Sequence, residues 1–470
     1  MKNLWLRRRI VSGLLLLGLL LPLLVACGGA AEPATSSTVA NAGSTASTPA
    51  ATSATAASAS AVASASVAPS ASATTTDTTA APSAVTATPS EAASAAANAS
   101  AGATETPAQG ANPNLPTTLE YGAVAQLYYT DADRVVTLAG IAGFDWVRQQ
   151  VPWKDTALPD GTFGFQELDK VVESVAKQNK KLLLSVVKSP EWATGRAGDN
   201  GLPRDNADYG RFVEEIARRY KGKVHAIEVW NEQNLAFENG GRVVPEDAGR
   251  YVELLKEAYG RIKAVDPTIV VVAGALSSSG ENNPERAVDD ITYYKAMYTY
   301  NNGEIKNYMD AQGFHPASTL NPPDALYPEA PGPGCELPNK PWCEDRTHYF
   351  RHIEDVRQVM VDTGVADKQI WITEMGWATE NTTPGYEYGN SISFDQQAEH
   401  LEGALYRILS QYDYVGVAFI WNLNFAVTWG QSGDPLHEQA SFGLLNPDWS
   451  PRPAFTRIQG FINARRQGSQ

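Results

Sequence analysis

Eight short apolar runs rich in β-branched residues recur along the chain: Leu119–Leu127, Phe144–Gln149, Lys181–Val187, Val224–Trp230, Thr268–Gly274, Met309–Phe314, Gln369–Thr373 and Val415–Trp421. Between them lie amphipathic stretches such as Tyr209–Tyr220, Ala248–Val265, His348–Thr363 and Phe394–Gln411. Apolar residues there recur at spacings of three and four with Glu, Lys and Arg between, which predicts helices packed on one face. Strand and helix in alternation predict a parallel sheet with crossover helices. Eight such units predict an α/β fold closed as a (β/α)8 TIM barrel rather than an open doubly wound sheet. No G-x-G-x-x-G turn follows the first strand, which removes the main reason to expect a dinucleotide site.

The pattern changes before this region. Lys2, Arg7, Arg8 and Arg9 precede an apolar run from Ile10 to Val25, the form of a secretory signal. The run ends in Leu24-Val25-Ala26-Cys27-Gly28, which resembles the bacterial lipobox, in which the cysteine becomes the lipidated first residue. From Ala30 to about Asn112 the chain is nearly all Ala, Ser, Thr, Pro and Val, without one aromatic, Lys or Arg. Such a segment buries too little apolar surface to offset the entropy of ordering it, so a disordered stalk is expected. The expected organisation is a lipoprotein signal at 1–26, a linker at 27–113 and one barrel domain at 114–470. This places the protein on the extracellular face of a bacterial membrane, held by a lipid on Cys27.

The signal holds four basic residues and the stalk four acidic ones, so the barrel domain keeps the whole net charge of −15. That balance argues against nucleic acid and anionic lipid surfaces as partners. Cys335 and Cys343 stand in a Pro- and Gly-rich loop, where an exported protein is expected to close a local disulfide. No further ligands of suitable spacing stand nearby, so neither a metal nor a cofactor is expected, and the domain is expected to be monomeric.

Barrel enzymes carry their chemistry at the C-terminal ends of the strands. Polar and aromatic groups cluster there: Arg148-Gln149-Gln150 after strand two, Trp230-Asn231-Glu232-Gln233-Asn234 after strand four and His315 after strand six. Strand seven ends in Thr373-Glu374-Met375-Gly376-Trp377 and strand eight in Trp421-Asn422. Cleaving a glycosidic bond takes two carboxyl groups, one on either side of the scissile carbon. Glu232 and Glu374 follow apolar strands directly, and strands four and seven face each other across a barrel mouth.

Trp230-Asn231-Glu232 together with Ile372-Thr373-Glu374-Met375-Gly376 resembles glycoside hydrolase clan A. Trp230-Asn231-Glu232-Gln233-Asn234-Leu235, the Lys263–Pro267 stretch, His315, Phe442-Gly443-Leu444-Leu445 and Pro451-Arg452-Pro453-Ala454-Phe455 most resemble family 39 and its bacterial endoglycosidase-like relatives. The resemblance implies a retaining mechanism with Glu232 as acid/base and Glu374 as nucleophile. It further implies that Asn231 binds the sugar 2-hydroxyl, that Arg148 holds Glu374 ionised, and that Trp421 forms the floor of the site. His315 would belong to the polar ring of strand six, and it and Arg148 would also bind substrate. Two positions depart from the pattern: Ala317 stands where a Tyr is common, and Gln233 where a Pro is common.

Trp153, Trp192, Trp377 and Trp429 also follow strand ends and are candidates for stacking on sugar faces, Trp153 and Trp377 foremost. The division of labour leads us to expect a raised pKa for Glu232 and an ordinary one for Glu374. The expected substrate is a β-linked poly- or oligosaccharide, with xylan, glucan, mannan and a self-made exopolysaccharide all open. Ala317 motivates one alternative, a surface-anchored carbohydrate-binding lipoprotein whose barrel has lost turnover.

Overall fold

The computed structural model describes residues 112–158, 161–317, 319–328 and 341–468. Eight strands, β1 (Glu120–Val124), β2 (Trp146–Pro152), β3 (Lys181–Val187), β4 (Ala226–Val229), β5 (Val270–Ser277), β6 (Ala311–His315), β7 (Gln369–Met375) and β8 (Val415–Ile420), pair in parallel in sequence order. β8 returns to β1 and closes the barrel. All eight predicted runs are strands, and β3 has its predicted bounds. β4 is shorter than its apolar run because Trp230 turns to a φ of 71°, where the strand cannot continue.

The predicted helices lie between the strands at Asn206–Arg219, Asp247–Val265, Ile353–Asp362 and Phe394–Gln411. Ser393 starts the last of these with a capping box: its hydroxyl accepts from Gln396 N, and the Gln396 side chain accepts from Ser393 N. The helix predicted from His348 begins later, because two short 3-10 turns, Arg346–His348 and Phe350–His352, take up its first residues. His352 is buried there between Asp290 and Asp355, 2.8 and 2.9 Å away. Burial opposes its cation, but those two carboxylates hold its pKa up at about 9, so this ion cluster behind β6 is intact at neutral pH.

Two bodies of apolar side chains are buried. One fills the space between sheet and helices. The other fills the barrel itself, with Trp146, Leu183, Ala226, Val270, Val272, Ala311, Trp371, Val417 and Phe419. The Trp146 and Trp371 rings meet edge to face at 5.1 Å, a pairing contributing about 1 kcal/mol beyond burial. Gly122 leaves room for this plug, since a Cβ there would collide with Phe419 and Trp146.

Side chains two residues further along a strand point the same way, one layer nearer the C-terminal rim. Two steps past Trp146, Leu183, Ala226 and Trp371 stand Arg148, Ser185, Glu228 and Thr373, all buried. The barrel thus changes from an apolar layer to a polar one directly beneath its mouth. The signal, the stalk, Cys27 and Cys335 lie outside the described residues. No described helix is long and apolar enough to cross a membrane.

Candidate active site

The polar layer is wired through Arg148. Its Nε donates to Glu228 Oε2 at 2.8 Å and its Nη1 to Glu374 Oε1 at 2.7 Å. Nη2 donates to Asn231 Oδ1 at 3.0 Å and to Ser185 Oγ at 3.3 Å. A fully buried guanidinium costs several kcal/mol to desolvate unless its donors are met, and here carboxylates on two strands meet them. Arg148 therefore ties β2 to β4 and β7 and orients the Glu374 carboxylate.

His315, at the end of β6, makes the second link. Its Nδ1 lies 3.1 Å from Glu232 Oε1 and its Nε2 3.0 Å from Thr373 Oγ1. The same Nε2 is 3.8 Å from Glu374 Oε1, so one imidazole lies beside both candidate carboxylates. Thr373 in turn donates to Glu228 Oε1 at 2.9 Å. Gly313 is required below, because a Cβ there would sit 2.9 Å from Glu228 Oε1 and against the β5 backbone.

Past β4 the strand alternation breaks. Trp230 and Glu232 both hold left-handed backbone, with φ of 71° and 49°. Non-glycine residues pay about 1–3 kcal/mol each for such conformations, which persist only where surrounding structure imposes them. Trp230 turns outward, buried against Tyr209 with its indole donating to Glu238 O, while Asn231 stays at the polar layer and Glu232 beside His315. Glu232 N is held by Ala275 O at 2.7 Å.

The charges settle in an order opposite to the one expected. Burial pushes Glu232 up, but the His315 hydrogen bond and the charges of His315, Arg148 and Lys188 outweigh it and hold Glu232 below its ordinary value. Burial likewise opposes the His315 cation, yet Glu374 and Glu232 hold His315 above its usual range. Glu374 is raised, by burial first, with Glu232 and Glu228 adding to it against His315 and Arg148. The 3.1 Å contact between His315 Nδ1 and Glu232 Oε1 thus favours the imidazolium on one side and the carboxylate on the other. The expectation of a raised Glu232 fails because it took no account of a histidine at hydrogen-bond distance.

The structure brings Glu232, Glu374, Asn231, Arg148, His315 and Trp421 to one rim. Trp421 follows β8, partly buried above the interior layer, its ring 4.9 Å from Phe425, and the Trp421–Asn422 peptide is cis. Two expectations are corrected. Trp153 and Trp377 are fully buried: Trp153 packs on Phe212, and Trp377 donates to Asn321 O and lies against Phe350. Neither presents a face to a sugar. Arg148 and His315, expected to bind substrate, spend their polar atoms on protein groups, Glu374 and Glu232 among them. Trp192, 48% exposed and edge-on to Trp153, does face solvent, and Trp429 stacks on His437 at 3.6 Å.

Several rim residues carry no motif that would single them out. Lys188, after β3, pairs with Glu238 at 2.6 Å and lies 4.2 Å over the ring of Phe237, which is 59% exposed. Burial pushes Glu238 up to about 7, against the pull of Lys188 and helped by Glu232 and Glu374. Tyr386, 37% exposed, sits on the loop after β7. Packing around its phenol, then Glu438, Glu232 and Glu374, push it up to about 12. Ser185, Glu228 and Thr373 did leave a trace: each is a polar residue two places past an apolar one within a buried strand. Among the described residues no cluster of His, Cys, Asp and Glu has the form of a metal site.

A family model described as cellulase, glycosyl hydrolase family 5, matches residues 106–424. A solved family 39 glycoside hydrolase from the gut symbiont Bacteroides cellulosilyticus WH2 is 18% identical over 74% of this chain, with a TM-score of 0.51. This chain spans 64% of that structure's length. A glucosidase from Croceicoccus marinus is 14% identical over 74% of this chain and 68% of its own, with a TM-score of 0.50. At these identities the two structures speak for the fold alone. No protein of curated function matches the chain in sequence.

Proposed function

The chain belongs to the cellulase family, glycosyl hydrolase family 5, and from that premise we propose that this retaining glycosidase cleaves an extracellular β-linked poly- or oligosaccharide with Glu374 as nucleophile and Glu232 as acid/base. The observation that carries the residue assignment is the placement of one imidazole beside both carboxylates, with Arg148 donating to Glu374. Glu374 Oε attacks the anomeric carbon as the bond to the leaving oxygen breaks, and that oxygen takes the proton from Glu232. Glu232, now a carboxylate, deprotonates water, which displaces Glu374 and restores the original configuration. Arg148 aims the attacking oxygen. Asn231, its carbonyl occupied by Arg148, turns its amide hydrogens to the sugar 2-hydroxyl. Trp421 gives the sugar an apolar floor.

The test is the purified full chain with a panel of β-linked polysaccharides, oligosaccharides and glycosyl fluorides, reducing ends and product anomer being followed. Glu232→Ala is expected to lose roughly 10²–10⁴-fold in kcat/KM on oligosaccharides. The loss should be far smaller on a fluoride, which leaves without a proton, and the basic limb of the pH profile should disappear. Equal loss on both substrates would remove Glu232 from the acid role.

The reading includes attachment outside the cell through a lipid on Cys27 and a disulfide between Cys335 and Cys343. The bonded state of Cys343 supports the second. Cys27→Ala is expected to move the protein from the membrane fraction to the soluble one and to abolish labelling by a fatty-acid probe. Labelling that survives the substitution would rule the anchor out.

A further inference from the structure

Glu228, Thr373 and His315 form a chain of hydrogen bonds whose direction can be worked out atom by atom. Glu228 is buried and ion-paired with Arg148, whose Nε and Nη2 both reach Oε2, at 2.8 and 2.7 Å. Its other oxygen, Oε1, therefore accepts the Thr373 hydroxyl at 2.9 Å, with Ala275 N at 3.4 Å as a second donor. A threonine hydroxyl has one hydrogen, and it is spent on Glu228. Toward His315 Nε2, at 3.0 Å, Thr373 Oγ1 can only accept, so Nε2 carries a hydrogen. The contact from Nδ1 to Glu232 Oε1 at 3.1 Å is then closed by one proton: on Nδ1 if the ring is charged, on Oε1 if it is neutral.

We propose that Glu228 and Thr373 are positioning residues that lock the hydrogen of His315 onto Nε2, so that a single proton is shared between Nδ1 and Glu232 and serves as the acid proton of catalysis. The proposal rests on Glu232 being the acid/base. In the transfer the Nδ1–H bond breaks and the Oε1–H bond forms; a cation and a carboxylate become two neutral groups, and net charge is unchanged. The leaving oxygen then takes the proton from Glu232, and water later returns one to the pair. Without the lock, neutral His315 can place its hydrogen on Nδ1 and donate to Glu232, holding the carboxylate ionised when an acid is needed. The titratable and charged groups facing the pair are Arg148 from β2, Lys188 from the β3 end, Glu238 from the loop after β4, Glu374 from β7 and Tyr386 from the loop after β7. The rise of His315 and the fall of Glu232 agree with a proton held between them.

The sharpest test is Glu228→Gln. Arg148 holds the position of Oε2, so the amide oxygen goes there and the amide NH2 faces Thr373. The Thr373 hydroxyl must then donate to Nε2, which drives the ring hydrogen to Nδ1. In the full chain with 15N-labelled histidine, the neutral His315 ring is expected to carry its hydrogen on Nε2 in wild type and on Nδ1 in Glu228→Gln. Thr373→Val should leave a mixture of the two tautomers, and Thr373→Ser should restore Nε2. In parallel, kcat/KM on an oligosaccharide should fall about 10²-fold in Glu228→Gln, with the pH limb of Glu232 displaced to lower pH, and much less on a glycosyl fluoride. If Glu228→Gln does not fold, the two Thr373 variants decide between the same outcomes. A neutral wild-type ring with its hydrogen on Nδ1, or a neutral ring whose hydrogen stays on Nε2 in both Glu228→Gln and Thr373→Val, would overturn the lock. A wild type inert toward every glycoside would overturn the proposed function instead, and the two failures are separable because the tautomer is read without turnover.

Discussion

Replacing Glu374 by glutamine is expected to lower kcat by on the order of 10⁴-fold while leaving KM within a few-fold of wild type. The amide keeps the shape of the carboxylate, and its oxygen can still accept from Arg148 Nη1, so the cleft should stay assembled. What it lacks is the anionic oxygen that forms the glycosyl ester in the proposed mechanism. Glu228 is buried below and bound to Arg148 and Thr373, and Glu238 is paired with Lys188. Initial rates on the substrate that wild type hydrolyses fastest, with protein folding followed by circular dichroism, measure the effect. Residual activity above a hundredth of wild type would point to another nucleophile.

The second large effect is on stability and comes from Arg148. Arg148→Met keeps the volume but strips Glu228 of its cation inside the barrel and Glu374 of its nearest donor. Removing one partner of a buried ion pair costs roughly 3–5 kcal/mol, since the remaining charge has neither water nor counter-ion. The loss should depend on pH, and its sign follows from Glu374. The carboxyl of Glu374 already lies above its ordinary 4.5, and Arg148 is among the groups pulling it down, so the variant raises it further. A carboxyl raised in the folded state stabilises the fold below its unfolded pKa, and that contribution is lost as pH rises through the folded value. The difference in Tm between wild type and Arg148→Met should therefore be smallest near pH 4 and widen toward pH 7. A small deficit, independent of pH, would mean that water reaches the polar layer and screens it.

Much of this could be read from residue order. The eight apolar runs and their helical partners depend on local periodicity, which survives without tertiary context, and both carboxylates were visible because barrel chemistry collects at strand ends. Glu232 and Glu374 end strands that lie across the barrel, and the fold places them beside the same histidine. The tryptophans show where periodicity stops being informative. Trp153 and Trp192 both follow strands, yet Trp153 is buried because the helix Asn206–Arg219 covers it with Tyr209 and Phe212, while Trp192 stays half exposed.

The polar layer lies further still from the sequence. Arg148, Ser185, Glu228 and Thr373 are spread over 226 positions, from 148 to 373, and each alone is a polar residue in an apolar strand. Only closure of the barrel stacks them at one height, and only their mutual distances decide which donates and which accepts. The sequence by itself determined the barrel, its strand ends and the positions of Glu232 and Glu374 at them, because those follow from short-range pattern. Tertiary structure alone decided that His315 lies against Glu232, that Glu374 is the raised member of the pair, and that Arg148 reaches three strands. Protonation depends on charges a few ångström apart in space and hundreds of residues apart in the chain, and Coulomb energy follows the first distance, not the second.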